Sequence, residues 1–337
     1  METIDRLLEK LTSAAAIGYA GDAPQLVIEE LKAAGLTAAL TKDRSVHAIV
    51  NGTDGRDVII ACHLDEIGFV VTGIDGSGFI KINEVGKSDV RILIGQEMLI
   101  HGRETIAGYI GAKPPHLLSP AERSRVFPLP DLFVDTSMPV DALKSIVRIG
   151  DMVTFKNRYQ KLHDSLRSAK AMDNRASVAA GIMALVELQK HPVKPNVHFV
   201  ATSQEEFSGL GARLLSQRVH ACCAIIVDVT FGDQPDLPET EVFPLASGPT
   251  LGRGGTLPAK FFKLLVQCAQ ELGIPYQVEP LPTNTGTDAD SIAFSVDGIP
   301  CCLLGIPVRN MHTPVEVVSL QDIERTSQLI VHFVKKL

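Results

Sequence analysis

Nothing in the 337-residue chain reads as a membrane span: its longest apolar runs fall well short of the roughly 20 residues a spanning helix needs. The opening METIDRLLEKL has the mixed charge of an amphipathic helix and lacks the basic-then-apolar order of a signal peptide, which predicts a cytoplasmic protein. A basic patch is missing too. With a formal net charge of −7 and a pI near 5.8, the chain offers no face suited to a phosphate backbone, which argues against nucleic acid as a partner. Among six cysteines (Cys62, Cys222, Cys223, Cys268, Cys301 and Cys302) there is no CxxC spacing. Most lie in apolar, strand-like runs, so they read as reduced core thiols rather than a zinc-thiolate site or a disulfide framework. Internal repeats and low-complexity tracts are absent. At 45% hydrophobic and 21% charged, the composition is that of a folded protein with a sizeable core.

What is present is an alternation of apolar runs. Apolar stripes at Ile4, Leu7, Leu8 and Leu11 and around Leu26, Val27, Ile28 and Leu31 predict two helices, the second closed by Gly35. The strand-like SVHAIVNG follows, and then VIIACHLDEIGF, a β-rich run that stops on His63, Asp65 and Glu66. From Phe69 to about His163 the texture changes to short strands broken by DGSG, HG and IGAKPP, with a Pro-rich charged loop from Pro114 to Pro130. Helix-strand alternation resumes at AKAMDNRASVAAGIMALVELQK and continues through the strands HFVATS, AIIVDV and CCLLGI, the helix PAKFFKLLVQCAQELG and a terminal amphipathic helix. The pattern predicts an α/β domain, its mixed, largely parallel sheet flanked by helices, formed by residues 1–67 and 164–337, with a smaller, mostly-β insertion over 68–163.

In such sheets, ligands bind beyond the carboxyl ends of the strands. Four predicted strands stop on polar groups there: VIIACH at His63, FVATSQ at Glu205 and Glu206, IIVD at Asp228, and CCLLGIPVRNM just before His312. Asp173 opens the helix after the insertion. Each has a plain alternative, since a Glu-Glu pair suits a solvated turn, a histidine a satisfied core, Asp173 a helix cap and Asp228 a strand-end turn. Together they form a carboxylate-rich, two-histidine set without thiolates, suited to two divalent ions such as Zn²⁺, Co²⁺ or Mn²⁺. In His63-Leu64-Asp65 the alternate spacing lets the carboxylate reach back to the imidazole and fix its tautomer. The remaining histidines, His116 included, read as structural.

The stretches ACHLDEIGF, IGAKPPHLL, AKAMDNRAS, TSQEEFSGLGAR, VDVTFGDQP, GTDADSIAF and NMHTPVEVVSL, in this order, resemble the tetrahedral, glutamyl-aminopeptidase-like metallopeptidases, a family in which some members have been labelled endoglucanases. The resemblance spans nearly the whole chain. It implies that His63, Asp173 and Asp228 hold one metal ion and Asp173, Glu206 and His312 a second, with Asp173 bridging, Glu205 as general base and Asp65 orienting His63. Asp288 would lie near the site. The insertion would be an oligomerisation domain, building dimers and then a tetrahedral dodecamer whose interior chamber admits peptides. Two departures stand out: Gly86-Lys87-Ser88 occupies the place of a usual Gly-Gly-Trp, and Ser208 that of a glycine after the Glu-Glu pair.

The expected reaction is therefore removal of N-terminal residues from peptides by a two-metal-activated water, with Glu205 moving the proton. An N-acyl amino-acid deacylase or carboxypeptidase shares that constellation, but its extra domain comes later, before the final histidine. A glycosidase would need two carboxylates flanking a sugar bond and no histidine ligands. A silent assembly protein would have lost a ligand or the base, and every position here holds a competent residue. Pocket walls built from loops such as LASGPTLGRGGTLP, with Arg253 reading as a surface residue, leave the preferred N-terminal residue open.

Overall fold

The apolar runs VIIACH and NVHFVAT set the centre of the fold. In the computed structural model, which describes residues 1–294 and 297–337, they form the strands Asp57–His63 and Asn196–Thr202. The two pair in parallel from Asp57↔Asn196 to His63↔Thr202. Cys223–Phe231 adds in parallel on the other edge of Asp57–His63, and Cys301–Arg309 beyond it. These strands are buried on both faces, which is why they read as nearly unbroken apolar runs. Toward the margins pairing turns antiparallel, with Val46–Val50 and Ala38–Leu40 on one side and Glu316–Ser319, Leu166–Ala169 and Gln160–Lys161 on the other. Thr250–Gly254 and Gln277–Leu281 attach beside Cys301–Arg309 and complete, among the described residues, an 11-stranded sheet.

Strand alternation divides the core in two. Val58, Ile60 and Cys62 face the helices Glu2–Ser13, Ala23–Ala33, Met172–Leu188, Ala259–Leu272 and Leu320–Lys336, whereas Ile59 and Ala61 face Leu210–Arg218 and Asp288–Ala293. Met172–Leu188 carries the periodicity expected at Val178, Ile182 and Leu185, yet it is buried nearly all round between the sheet and the terminal helices. Gly181 permits that close approach: a Cβ there would come within 2.5 Å of the Phe199 ring. Of the six free cysteines, Cys222 alone is exposed.

The inserted segment is a closed barrel. Gly68–Ile74, Ile80–Val85, Glu97–His101, Thr105–Gly111, Phe133–Asp135 and Met152–Phe155 close on one another around a separate apolar core in which Phe69 meets Phe155 edge-on at 5.7 Å. The Pro-rich loop covers short turns and a one-turn helix, Pro120–Arg123, capped reciprocally by Ser119 and Glu122. Gln160–Lys161, inside the stretch whose texture suggested insertion, pairs in the large sheet instead.

Most histidines remote from the cleft have ordinary partners. His47 and His198 stack across neighbouring strands, with His47 Nε2 2.9 Å from His198 Nδ1 and His198 Nε2 3.1 Å from Asp57 Oδ1. Burial, assisted by His198 and Arg218, lowers the His47 pKa from 6.5 to about 4. A depressed folded-state value means that the unfolded chain binds more protons between about 6.5 and 4, so this site's contribution to stability is complete above pH 6.5 and declines as the pH falls through that window. NMR titration of the His47 ring should show a midpoint near 4, and His47→Gln should flatten the fall of the melting temperature over the same range. An ordinary midpoint near 6.5 would contradict the burial argument.

Candidate active site

His63 is the last residue of its strand and only 2% exposed, so its imidazole is held at the carboxyl edge of the sheet by a paired backbone. Its Nε2 lies 3.0 Å from Asp173 Oδ1, 3.6 Å from Asp228 Oδ1 and 4.0 Å from Glu205 Oε2. The second Asp173 oxygen, Oδ2, is 3.3 Å from His312 Nε2, which is itself 3.4 Å from Glu206 Oε2. One carboxylate therefore spans two imidazoles, each with a further carboxylate at its side. All the sequence-predicted ligands converge here, and Glu205 with them.

Backbone geometry places these groups. Beyond Thr202 the chain turns through Gln204 at φ 62, which brings both glutamates to the cleft. The Asp65 carboxylate accepts hydrogen bonds from the backbone N–H groups of Glu205 (3.0 Å) and Glu206 (3.2 Å). It also stands beside His63, with Oδ1 3.6 Å from Nδ1, but the nearer acceptor for Nδ1 is the Asp65 carbonyl oxygen at 3.2 Å. Asp65 thus fixes the glutamate turn as much as the histidine. Asp173 lies in a first turn that departs from helical geometry at Asp173 and Asn174, and Asn174 Nδ2 donates to Val227 O at 3.0 Å, tying this turn to the strand of Asp228. Asp228 does not end that strand. Pairing with Asp57–His63 stops at Ile226↔Ala61, while pairing with Cys301–Arg309 carries the strand on to Phe231, so Asp228 projects from a strand open along one edge.

Ser208 does not disturb the turn: its hydroxyl donates to Gln204 O at 3.2 Å and accepts from Leu210 N at 3.3 Å. Arg253 lies over the Phe262 ring at 5.3 Å, consistent with a surface role. Asp288 is buried behind the glutamate strand and accepts from the Thr202 hydroxyl, and burial pushes its carboxyl up to about 7.

Glu316 is a cleft residue that strand-end reasoning from the sequence does not mark. Its buried carboxylate accepts from Asp173 N through Oε2 (3.0 Å) and from His312 N through Oε1 (2.7 Å), so one side chain sets the backbone of two cleft residues. The available signal was a glutamate set among valines in PVEVVSL, where an apolar strand has no other reason to hold a charge.

Electrostatically the site is short of positive charge. Burial, reinforced by Asp173, holds Glu206 well above the ordinary carboxyl range. For Glu205, burial outweighs the opposing His63 charge and, with Asp228, Asp288 and Asp173, pushes the carboxyl up to about 9. Burial works against a charged His63, yet Asp228, Asp173 and Asp65 raise its pKa well above 6.5. These shifts mark a carboxylate cluster without its counter-charge, and a cation bound among the carboxylates would favour their ionised forms, Glu205 included. Divalent ions fit this donor set: ligand atoms of His63, Asp173 and Glu206 lie within 4.8 Å of one another, Glu206 Oε1 is buried without a hydrogen-bond partner, and the donors are imidazole nitrogen and carboxylate oxygen. They open onto a cavity of about 420 Å³, whose wall also includes Thr230, Glu279, Leu303, Gly305 and, from the barrel, Lys87.

Comparison with known proteins identifies the family. The sequence profile of the M42 glutamyl aminopeptidase family matches residues 45–329. Lysyl aminopeptidase of Pyrococcus furiosus is 30% identical over 308 residues, 90% of this chain and 88% of that protein. The structure of an aminopeptidase from Desulfurococcus kamchatkensis superposes with a TM-score of 0.91 at 30% identity, covering 100% of this chain and 95% of the other. The TET1 peptidase of Pyrococcus horikoshii, which can assemble into a tetrahedron or a large octahedral shell, gives 0.87 at 25% identity over 99% and 100%. The chain belongs to the M42 glutamyl aminopeptidase family and is a peptide hydrolase.

Proposed function

We propose that the chain is a metal-dependent aminopeptidase, and that the observation carrying this reading is the Asp173 carboxylate presented to two imidazoles at once. His63, Asp173 and Asp228 would hold one divalent ion, and Asp173, Glu206 and His312 the other. Bound there, such ions supply a Lewis acid for the scissile carbonyl and lower the pKa of water. Glu205, more exposed than Glu206 and without a place in either ligand set, takes the proton of the attacking water and returns it to the leaving amine nitrogen as the C–N bond breaks. Asp65 keeps Glu205 and Glu206 in register, and Glu316 does the same for Asp173 and His312. The surplus of carboxylates is a counter-charge for a free N-terminal ammonium, which limits cleavage to the chain end.

We further propose that the barrel inserted over 68–163 mediates self-association, supported by the assembly of the P. horikoshii relative. Peptides are the substrates implied by the family, and no described helix is long and apolar enough to cross a membrane. The test is a panel of aminoacyl-p-nitroanilides with N-acetylated controls, using stripped protein given Zn²⁺, Co²⁺ or Mn²⁺. Metal-dependent release from free-amine substrates alone is expected, together with a light-scattering mass of many chains. Cleavage of the acetylated controls would move the site to a deacylase, no turnover would end the enzymatic reading, and a monomeric mass would end the assembly reading.

A further inference from the structure

We propose that Glu279 is the specificity-determining residue of the cavity and that it selects substrates whose N-terminal side chain ends in a cation, lysine or arginine; the proposal rests on the aminopeptidase reading above. Asp228 and Thr230 lie two residues apart on one strand, so they point to the same face about 6.6 Å apart at roughly 3.3 Å per residue. The Thr230 hydroxyl donates to Glu279 Oε1 at 2.8 Å. A second hydroxyl, that of Thr250, donates to Oε2 at 2.7 Å. Glu279 is thereby fixed on the wall of the same cavity, held by the neighbour but one of the proposed metal ligand Asp228.

Room for this arrangement comes from Gly305, opposite Asp228 in the sheet register. A Cβ there would come within 2.2 Å of Thr250 Oγ1 and 3.1 Å of Glu279 Oε2. The Glu279 carboxylate is half-buried, and among the described residues it forms no ion pair. Burial, with Asp228 adding to it, raises its pKa although both threonines oppose the shift. A carboxylate held by two neutral donors keeps free lone pairs and lacks a counter-charge. With the N-terminal residue's backbone at the metal site, the stem of a lysine or arginine side chain would run past Leu303 and bring its cation to Glu279. An uncharged side chain of the same length would leave the carboxylate with its two threonine hydrogen bonds and no ion-pair partner.

The discriminating pair is lysine and norleucine, which share a stem and differ in the ammonium group. For the metal-loaded protein, kcat/KM for lysyl-p-nitroanilide should exceed that for the norleucyl substrate by roughly 10- to 100-fold, as expected for a hydrogen bond to a charged group. Calorimetric binding of free L-lysine and L-norleucine should follow the same order without turnover, and Glu279→Gln should bring both ratios close to one. If no aminoacyl substrate is cleaved yet lysine binds in a Glu279-dependent way, the aminopeptidase reading falls and the pocket assignment stands. Equal binding of the two amino acids by the unaltered protein, a preference for acidic side chains, or ratios unchanged by Glu279→Gln would overturn it.

Discussion

Glu205→Gln should lower kcat by about 10²- to 10⁴-fold, the contribution usual for a positioned general base, while leaving bound metal and thermal stability close to those of the unaltered protein. The substitution preserves side-chain length and shape. It also keeps the Glu205 N–H that donates to Asp65 Oδ1 at 3.0 Å, so the turn carrying Glu206 has no reason to move. What disappears is an oxygen able to take a proton from water and return it to an amine. Metal analysis alongside the rate distinguishes the roles: loss of metal with activity would put Glu205 among the ligands, and activity within tenfold of the original would remove it from proton transfer. Glu206→Gln provides the contrast. Its Oε2 lies 3.4 Å from His312 Nε2 and its Oε1 is buried without a partner, so the same chemical change there should reduce metal content first and rate as a consequence.

Why His63, Asp173, Glu205, Glu206, Asp228 and His312 were legible in the sequence is a matter of local grammar. Parallel strands buried on both faces give unbroken apolar runs, and a polar residue that stops or interrupts such a run is conspicuous. Asp57–His63 and Asn196–Thr202 follow that rule closely. Cys223–Phe231 departs from it, because pairing with Cys301–Arg309 continues for three residues after Asp228, and the length of a pairing partner is not written in the strand itself. The same reason hid Glu316 and Glu279. Their neighbours, Asp173 and His312 for the first and Thr230 and Thr250 for the second, are brought in by sheet register and helix placement across sequence separations of up to 143. Closure of the barrel was out of reach for a related reason: its strands are short, and Phe133–Asp135 completes the ring through pairings at both edges with strands distant in sequence.

The largest effect on stability is expected away from the reacting groups, at Glu66. This side chain is 2% exposed and faces two buried cations, with Lys170 Nζ 2.6 Å from Oε2 and Arg175 Nη2 3.6 Å from Oε1. Arg175 is wholly buried and spends its other donors on backbone carbonyls, Leu64 O at 2.7 Å and Ala14 O at 3.1 Å, together with Leu11 O. Burial lowers the Lys170 pKa, and Arg175 adds to that, so the ammonium keeps its proton chiefly because Glu66 faces it. Glu66→Ala would strand both cations, and breaking a buried pair in this way costs about 3–5 kcal/mol. A marked drop in the urea midpoint should follow, smaller for Glu66→Gln, and Glu66→Ala with Lys170→Met should recover part of it because one stranded charge has gone. The damage should reach catalysis, since Arg175 grips the Leu64 carbonyl between His63 and Asp65, and the Glu66 backbone N–H donates to Ala16 O at 3.0 Å, which together fix the chain where the central strand leaves the sheet for the barrel. If Glu66→Ala unfolded at the original urea concentration, the cluster would add nothing to stability, and the placement of His63 would have to rest on strand pairing alone.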